Sequence, residues 1–347
     1  MFMENNYINT LIKKLISLEN LSFSEIKEGF DEIIQGLAGV IPTTSFISTL
    51  AAKKETVEEL SGAILASREG IKRFSTNSFE INSIENIFFD FNSEYLNLPL
   101  ALDLMVSAQE LGVMRYHFKT PFSFDESFKI LNLLGIDFSK FSESIDEIED
   151  IFEKTKFFYL ELGMNEPYFK YTNEIVRELP FKNILNITEK MLNPFGIKNQ
   201  FIGVSEKNQV ENFSNLALNL KNENTIVLSS QEGLPFVSIE NTTYVAEAWK
   251  NKIFTYALSP DLLGFKENSI ECLKCESSEE NSEILLNIFN NKIKDSRKDF
   301  IVLNSALALY ISKKAASIMD GIDLAKKTIE DGLVLEKINQ LKSITKK

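Results

Sequence analysis

Sulfur, imidazole and excess positive charge are all scarce in this chain. Among its 347 residues there are two cysteines and one histidine, and 50 acidic residues face 37 basic ones for a net charge of −13. The cysteines, Cys272 and Cys275, form a single CxxC in the run ECLKC, with the lone His117 far away in sequence. A structural zinc takes four ligands, so this pair is short of a set, and it lacks the strand-to-helix setting of a redox motif. A surface turn or strand end is the plainer reading of it. Few cysteines suit a reducing compartment. The acidic balance works against docking on nucleic acid, because nonspecific affinity there comes from Lys and Arg displacing counterions from phosphates. No apolar run reaches the roughly 18 residues that span a bilayer, and the start MFMENNYINTLIKKL has no signal-peptide layout. The expectation is a cytoplasmic protein that engages neither membrane nor nucleic acid.

What is present is a large apolar content, 44% of residues, enough for a sizeable core divided between two subdomains. The first 70 residues read as four short helices. Ile8, Leu11, Ile12, Leu15 and Ile16 recur at helical spacing. Ser22-Phe23-Ser24-Glu25 has the form of a capping box, followed by an apolar face of Ile26, Phe30, Ile33 and Ile34. Pro42-Thr43-Thr44 is expected to begin a third helix carrying Phe46, Ile47 and Leu50, and Thr56 to Glu59 repeats the box ahead of a helix ending near Gly70.

From about residue 84 the pattern changes to short β-rich runs: 86–91, 113–117, 157–162, 200–205, 225–229 and 252–258. Helical spacing over 98–111 and 125–134 lies between them, and a helical piece at 165–179 interrupts the series and could fold back on the N-terminal helices. Alternation of this kind predicts an α/β fold: a small N-terminal helical bundle domain plus a larger α/β domain whose mostly parallel central sheet is flanked by helices. The expected boundaries are 1–72 for the helical domain, with 165–190 packing back on it, and 84–160 with 195–342 for the α/β domain. The 28 phenylalanines read mostly as core, although Phe88-Phe89, 122–128 and Phe157-Phe158 could line an aromatic pocket.

Arg177-Glu178-Leu179, Asn186, Asn193-Pro194, Ile202-Gly203-Val204 and the run DFIVLNSALAL at 299–309, together with 23–36 and 55–70, resemble the anthranilate phosphoribosyltransferase family. The resemblance implies an active site in the cleft between the two domains, transfer of the phosphoribosyl group of phosphoribosyl pyrophosphate to anthranilate, magnesium assisting departure of pyrophosphate, and a homodimer formed through the N-terminal helices. Apolar faces around Leu11, Leu15 and Phe46 are compatible with such a dimer, or with packing inside the bundle.

Several of the family's motifs are altered. Where it has a Gly-Thr-Gly-Gly-Asp-Gly loop, whose backbone N–H groups can approach a pyrophosphate closely, this chain has Phe89-Asp90-Phe91-Asn92-Ser93-Glu94. Pro99-Leu100-Ala101-Leu102 stands for the family's Asn-Ile-Ser-Thr, and His117-Phe118-Lys119-Thr120-Pro121 for its Lys-His-Gly-Asn-Arg. The family's Asp-Glu pair for magnesium follows a Gly-Leu, and here Gly233-Leu234 leads into Pro235-Phe236, which offer no side-chain oxygen. No metal or cofactor site is therefore expected, although magnesium is usual in the family.

The candidate ligand-binding residues are Arg177, His117, Lys119, Arg115, Asn92, Ser93 and Thr120, with none assigned as catalytic. Arg177 stands where the family's arginine meets the anthranilate carboxylate, a bidentate match for a guanidinium. The competing reading is a surface ion pair with Glu174 or Glu178. His117 could donate a proton near neutral pH, or simply end a strand. Asp90 and Glu94 could pair for acid-base work, or be solvated loop acids. The leading expectation is a family member that has lost magnesium-dependent transfer and binds a small aromatic or carboxylate ligand, or a protein partner. The alternative is a transferase or phosphorylase acting on another donor or acceptor, with Arg115, His117 and Lys119 on its phosphate.

Overall fold

The computed structural model describes residues 7–74, 82–91, 93–118, 126–141, 144–162 and 167–346, and its elements are numbered within these. In chain order they are α1 (Tyr7–Ile16), α2 (Phe23–Ile34), α3 (Val40–Lys53), α4 (Val57–Glu69), β1 (Ser83–Phe88), α5 (Leu98–Ser107), β2 (Gly112–Phe118), α6 (Glu126–Leu133), α7 (Ile145–Thr155), β3 (Phe157–Leu162), α8 (Pro167–Glu178), α9 (Ile184–Lys190), β4 (Asn199–Gly203), α10 (Lys207–Asn219), β5 (Asn224–Ser230), β6 (Thr243–Trp249), β7 (Lys252–Leu258), α11 (Ser278–Phe289), α12 (Ser296–Ile311), α13 (Ile318–Glu330) and α14 (Leu333–Thr345).

Both expected capping boxes form. Ser22 accepts from the Glu25 backbone N–H while Glu25 accepts from that of Ser22, and Thr56 and Glu59 do the same. Glu59 does more than cap. Fully buried, it also accepts from the Leu21 N–H at 2.8 Å and from Lys53 Nζ at 2.9 Å, so one carboxylate joins the starts of α2 and α4 to the end of α3. α3 begins at Val40, ahead of the expected Pro42, from Gly39 at φ +73°, a conformation that suits glycine. Leu11, Leu15 and Phe46 are fully buried within the bundle, which leaves them unavailable to a second copy.

The helices α8 and α9 return to this bundle, α8 against α2 and α9 against α3 and α4. Buried Tyr168 fastens them: its hydroxyl lies 2.6 Å from Thr188 Oγ1 and its N–H donates to Gly70 O at 3.2 Å.

The α/β part is one seven-stranded sheet in the order β3-β2-β1-β4-β5-β6-β7. The first five strands are parallel and β6 and β7 antiparallel. The strand β6 had no counterpart among the expected runs. It forms a hairpin with β7 through Lys250 and Asn251, both at positive φ (47° and 59°), which is the backbone of a type I′ turn. The strand β1 also begins three residues before the run read from sequence. Its polar Ser83, Glu85 and Asn86 discourage a buried strand, but all three are buried and the latter two find partners on other elements. Helix α12, buried along almost its whole length, packs on α5 and reaches β4 and β5. Its Asn304 holds the Val237 backbone from both sides, accepting from N–H at 2.8 Å and donating to C=O at 3.2 Å.

One close approach fixes the region where β4 ends. A Cβ added to Gly203 would lie 2.0 Å from Pro235 O, a backbone atom unable to swing aside. Gly203→Ala is expected to destabilise the fold by about 1–3 kcal/mol, the usual range for overpacking, measured as a lower urea midpoint at unchanged slope.

Candidate functional site

In a doubly wound parallel sheet the carboxyl ends of strands diverge where the winding reverses, and a crevice opens there. Here the reversal lies at β1, which pairs with β2 on one side and β4 on the other. A cavity of about 320 Å³ occurs at this place, lined by residues of β1 and β2, by the turn after β1, by the starts of α5 and α6, and by Glu189 and Lys190 at the end of α9.

Its floor is a polar network around Asp103. This carboxylate sits on α5 in the otherwise apolar run LPLALDLMVS and is 1% exposed. It accepts from Asn86 Nδ2 at 2.7 Å, from the Tyr159 hydroxyl at 2.5 Å and from Arg115 Nε at 2.8 Å. Burial pushes the Asp103 carboxyl up, and the Arg115 charge and these donors pull it back. Glu85 accepts from Gln200 Nε2 at 2.6 Å, and burial raises it to about 7 against the pull of Gln200, Arg68 and Arg115. Burial also raises Glu189, with the Lys190 charge opposing it.

The turn after β1 is filled with rings. Phe88 meets Phe91 edge-on at 6.1 Å between centroids, Phe89 packs on Phe213 at 4.7 Å, and Phe91 faces Phe236 at 6.5 Å. Two lysines close it from the α8–α9 side. Lys190 Nζ donates to Phe88 O at 2.8 Å, and Lys182 pairs with Asp90, which also accepts from Ser205 Oγ at 3.0 Å.

Of the residues singled out from sequence, Arg115, His117 and Ser93 line the cavity. Arg115 is engaged by Asp103 and Tyr159, so its charge is already opposed. The His117 ring packs against Phe128 at a tilt of 35°, with centroids 3.9 Å apart, and lies 4.0 Å from Glu161 on the neighbouring strand. Arg177 is not brought together with them. It is at the exposed end of α8 and pairs with Glu178 at 2.9 Å, the arrangement of a surface ion pair. Asn92, Lys119 and Thr120 lie outside the described residues. Cys272 is exposed within the 3-10 turn Ile270–Leu273, and burial pushes the Cys275 thiol up to about 11.

Two family models match the chain in succession: the helical bundle domain of the glycosyl transferase family over residues 9–70, and its a/b domain over residues 93–335. An anthranilate phosphoribosyltransferase of Acetivibrio thermocellus is 30% identical over 337 residues, covering 96% of this chain and 95% of its own length. The chain belongs to the anthranilate phosphoribosyltransferase family. A second relative, from Thermoanaerobacter sp., is 28% identical over 95% of this chain and 96% of itself. Solved structures share the fold at lower identity. The anthranilate phosphoribosyltransferase of Thermus thermophilus superposes with a TM-score of 0.83 at 19% identity (97% and 99% coverage), and that of Saccharomyces cerevisiae, in complex with phosphoribosyl pyrophosphate and magnesium, with 0.82 at 18% (96% of each chain).

The turn 233–236 ends in Phe236, which is fully buried with its ring 4.9 Å from that of Phe300 and 6.1 Å from that of Tyr95. Neither Pro235 nor Phe236 carries a side-chain oxygen, the ligand type that magnesium takes.

Sequence reading missed Glu85, Asn86, Asp103 and Lys190. Asp103 had a usable signal, since a lone acid inside an apolar helix has to be either paired or wrong. Glu85 and Asn86 had a weaker one, two adjacent polar residues in a strand-like run. Lys190 gave no signal in its spacing, because the backbone carbonyl to which it donates is 102 positions away.

Glu85 makes stability depend on pH. In the folded protein its carboxyl is raised to about 7 from 4.5. Between those values the folded state keeps a proton that the unfolded chain has released, so stability falls as pH rises through the window and levels off above it, by an amount on the order of 3 kcal/mol. Glu85→Gln is expected to flatten this slope and to raise the melting temperature at pH 8 more than at pH 5. Parallel melting curves for the two proteins across that range would contradict the assignment.

Proposed function

We propose that this chain is a family member that does not perform magnesium-dependent transfer from phosphoribosyl pyrophosphate, and that it uses the strand-end cavity to bind a small ligand. The observation that carries the reading is the turn after β1. A donor with a pyrophosphate needs backbone N–H groups at close range and cationic neutralisation of the charge that develops on the leaving group. Phe88, Phe89 and Phe91 instead fill this turn with side chains, and the nearby cavity is lined by the carboxylates of Glu85, Asp103, Glu126 and Glu189. The relatives named as anthranilate phosphoribosyltransferases favour a transferase, and the open cavity at the winding reversal gives that reading some room: a transferase or phosphorylase using a less charged donor. Arg115 is a poor phosphate ligand for it, being already held by Asp103.

A cytoplasmic location and a homodimer through the N-terminal helices accompany this proposal. With Leu11, Leu15 and Phe46 buried, the surface available for the dimer includes Ile16, Val40 and Ile41, which are 67%, 59% and 83% exposed. Among the described residues no helix is long and apolar enough to cross a membrane.

Purified protein incubated with magnesium, phosphoribosyl pyrophosphate and anthranilate is expected to leave anthranilate fluorescence unchanged. Turnover at an ordinary enzymatic rate, on the order of 1 per second or faster, would end the proposal. Light scattering over a range of concentrations is expected to give twice the mass of the 39.5 kDa chain, and Ile41→Asp to shift it towards the single chain.

A further inference from the structure

Two kinds of contact join the helical part of this protein to the α/β part, and they differ in how readily they separate. On one side α4 packs on α10, where Asn219 Nδ2 donates to the buried Ser61 Oγ at 3.1 Å. On the other side lies the strand-end cavity, and Glu189 and Lys190 at the end of α9 form part of its lining. This helix belongs to the bundle: its Ile184, Leu185 and Thr188 are buried, and Tyr168 holds Thr188. Both of its ends nevertheless reach the turn after β1. Lys190 Nζ donates to Phe88 O at 2.8 Å, and Lys182, just ahead of the helix, pairs with Asp90.

Asp90 is positioned for this pairing. Its backbone is in the left-handed region at φ 58°, which few residues other than glycine adopt. One carboxylate oxygen, Oδ2, accepts from Ser205 Oγ at 3.0 Å, just after β4, and the other is presented to Lys182. The acid is therefore fixed by the α/β part and offered to the helical part. Lys182 has no such support, its side chain being 74% exposed. An exposed pair is weak, and salt screens it, the Debye length falling from about 10 Å at 0.1 M to about 3 Å at 1 M. The bond from the Lys190 ammonium to a backbone carbonyl is charge-assisted and stronger. It lies close to where the Tyr116 hydroxyl donates to Glu189 O at 3.0 Å and accepts from Asn193 N–H at 3.3 Å, on the stretch of chain that leads from α9 to β4. One end of α9 is thus held firmly, and the other by a single exposed ion pair.

We propose that α9 acts as a strap over the strand-end cavity, pinned at both ends, with the Lys182–Asp90 pair as the releasable pin, so that ionic strength controls the entry of a ligand. The inference rests on the reading that this cavity binds a small ligand, and adds how access to it is regulated.

The test is carboxyl labelling of the full chain with a carbodiimide and glycine ethyl ester, read by mass spectrometry as the rate at Glu85 relative to that at Glu211. Glu85 lines the cavity and is 5% exposed, whereas Glu211 is exposed on α10. The relative rate at Glu85 is expected to rise about threefold from low salt to about 1 M sodium chloride, and about threefold in Lys182→Ala at low salt, where the response to salt should be lost. Lys190→Met, which removes the donor and keeps the length of the side chain, should raise it at least about tenfold. Amide exchange at the centre of β5 reports global opening and should not change in Lys182→Ala. If Lys190→Met does not fold, the salt series and Lys182→Ala carry the test. Labelling of Glu85 indifferent to salt or to either folded variant, a salt response that survives in Lys182→Ala, or a rise matched by faster exchange in β5 would overturn the strap. Any of these results leaves ligand binding in the cavity standing. Turnover with anthranilate and phosphoribosyl pyrophosphate removes that reading, whatever the labelling shows.

Discussion

The burial of Asp103 governs the rest of this site. A carboxylate taken out of water needs compensation from donors and opposite charge, and breaking such a set by removing one partner leaves an uncompensated charge inside the protein. Here the compensation comes from Asn86 on β1, Arg115 on β2 and Tyr159 on β3. One side chain on α5 thus fixes the lateral placement of three adjacent parallel strands. It also explains the state of two other residues: Arg115 has its charge opposed from within, and the Asn86 amide is turned so that its oxygen faces away from Asp103.

That arrangement sits at the reversal of the winding, beside the turn after β1. A site for a polyanion gathers cations and backbone N–H groups. Among the described residues, three cations near the reversal of the winding are used structurally. Lys190 holds the carbonyl at the end of β1, Lys182 holds Asp90, and Arg115 holds Asp103. Phenylalanine rings take the volume next to them. Packing of β4, β5 and α12 around Gly203 and Asn304 depends on close backbone contacts, whereas the turn after β1 is held mainly by side-chain rings.

Much of the architecture was legible in the sequence because it rests on local rules. The boxes at Ser22 and Thr56 involve groups three residues apart, the apolar face of α2 follows from helical spacing, and β3 and β7 coincide with their apolar runs. The start of β1 and the whole of β6 were not legible. Polar residues in β1 are tolerated only because Gln200 and Asp103 meet them, and β6 is defined by pairing with β5 and β7 across a two-residue turn lacking glycine. For the site, the family pattern directed attention to Arg115, His117 and Ser93, which do line the cavity, and to Arg177, which does not. Arg177, at the place in the sequence that the resemblance points to, pairs with Glu178 at the surface.

Sequence alone determined the family and the division into a helical and an α/β part. These follow from residue order and spacing, which are properties of the chain before it folds. The tertiary structure decided which charges are opposed, which acceptor is left without a donor, and how the lysines of the α8–α9 segment close the turn after β1. Such features depend on partners far apart in the chain, 115 positions for Glu85 with Gln200 and for Asp90 with Ser205, and electrostatic interaction and hydrogen bonding act through distance in space, which linear order does not encode.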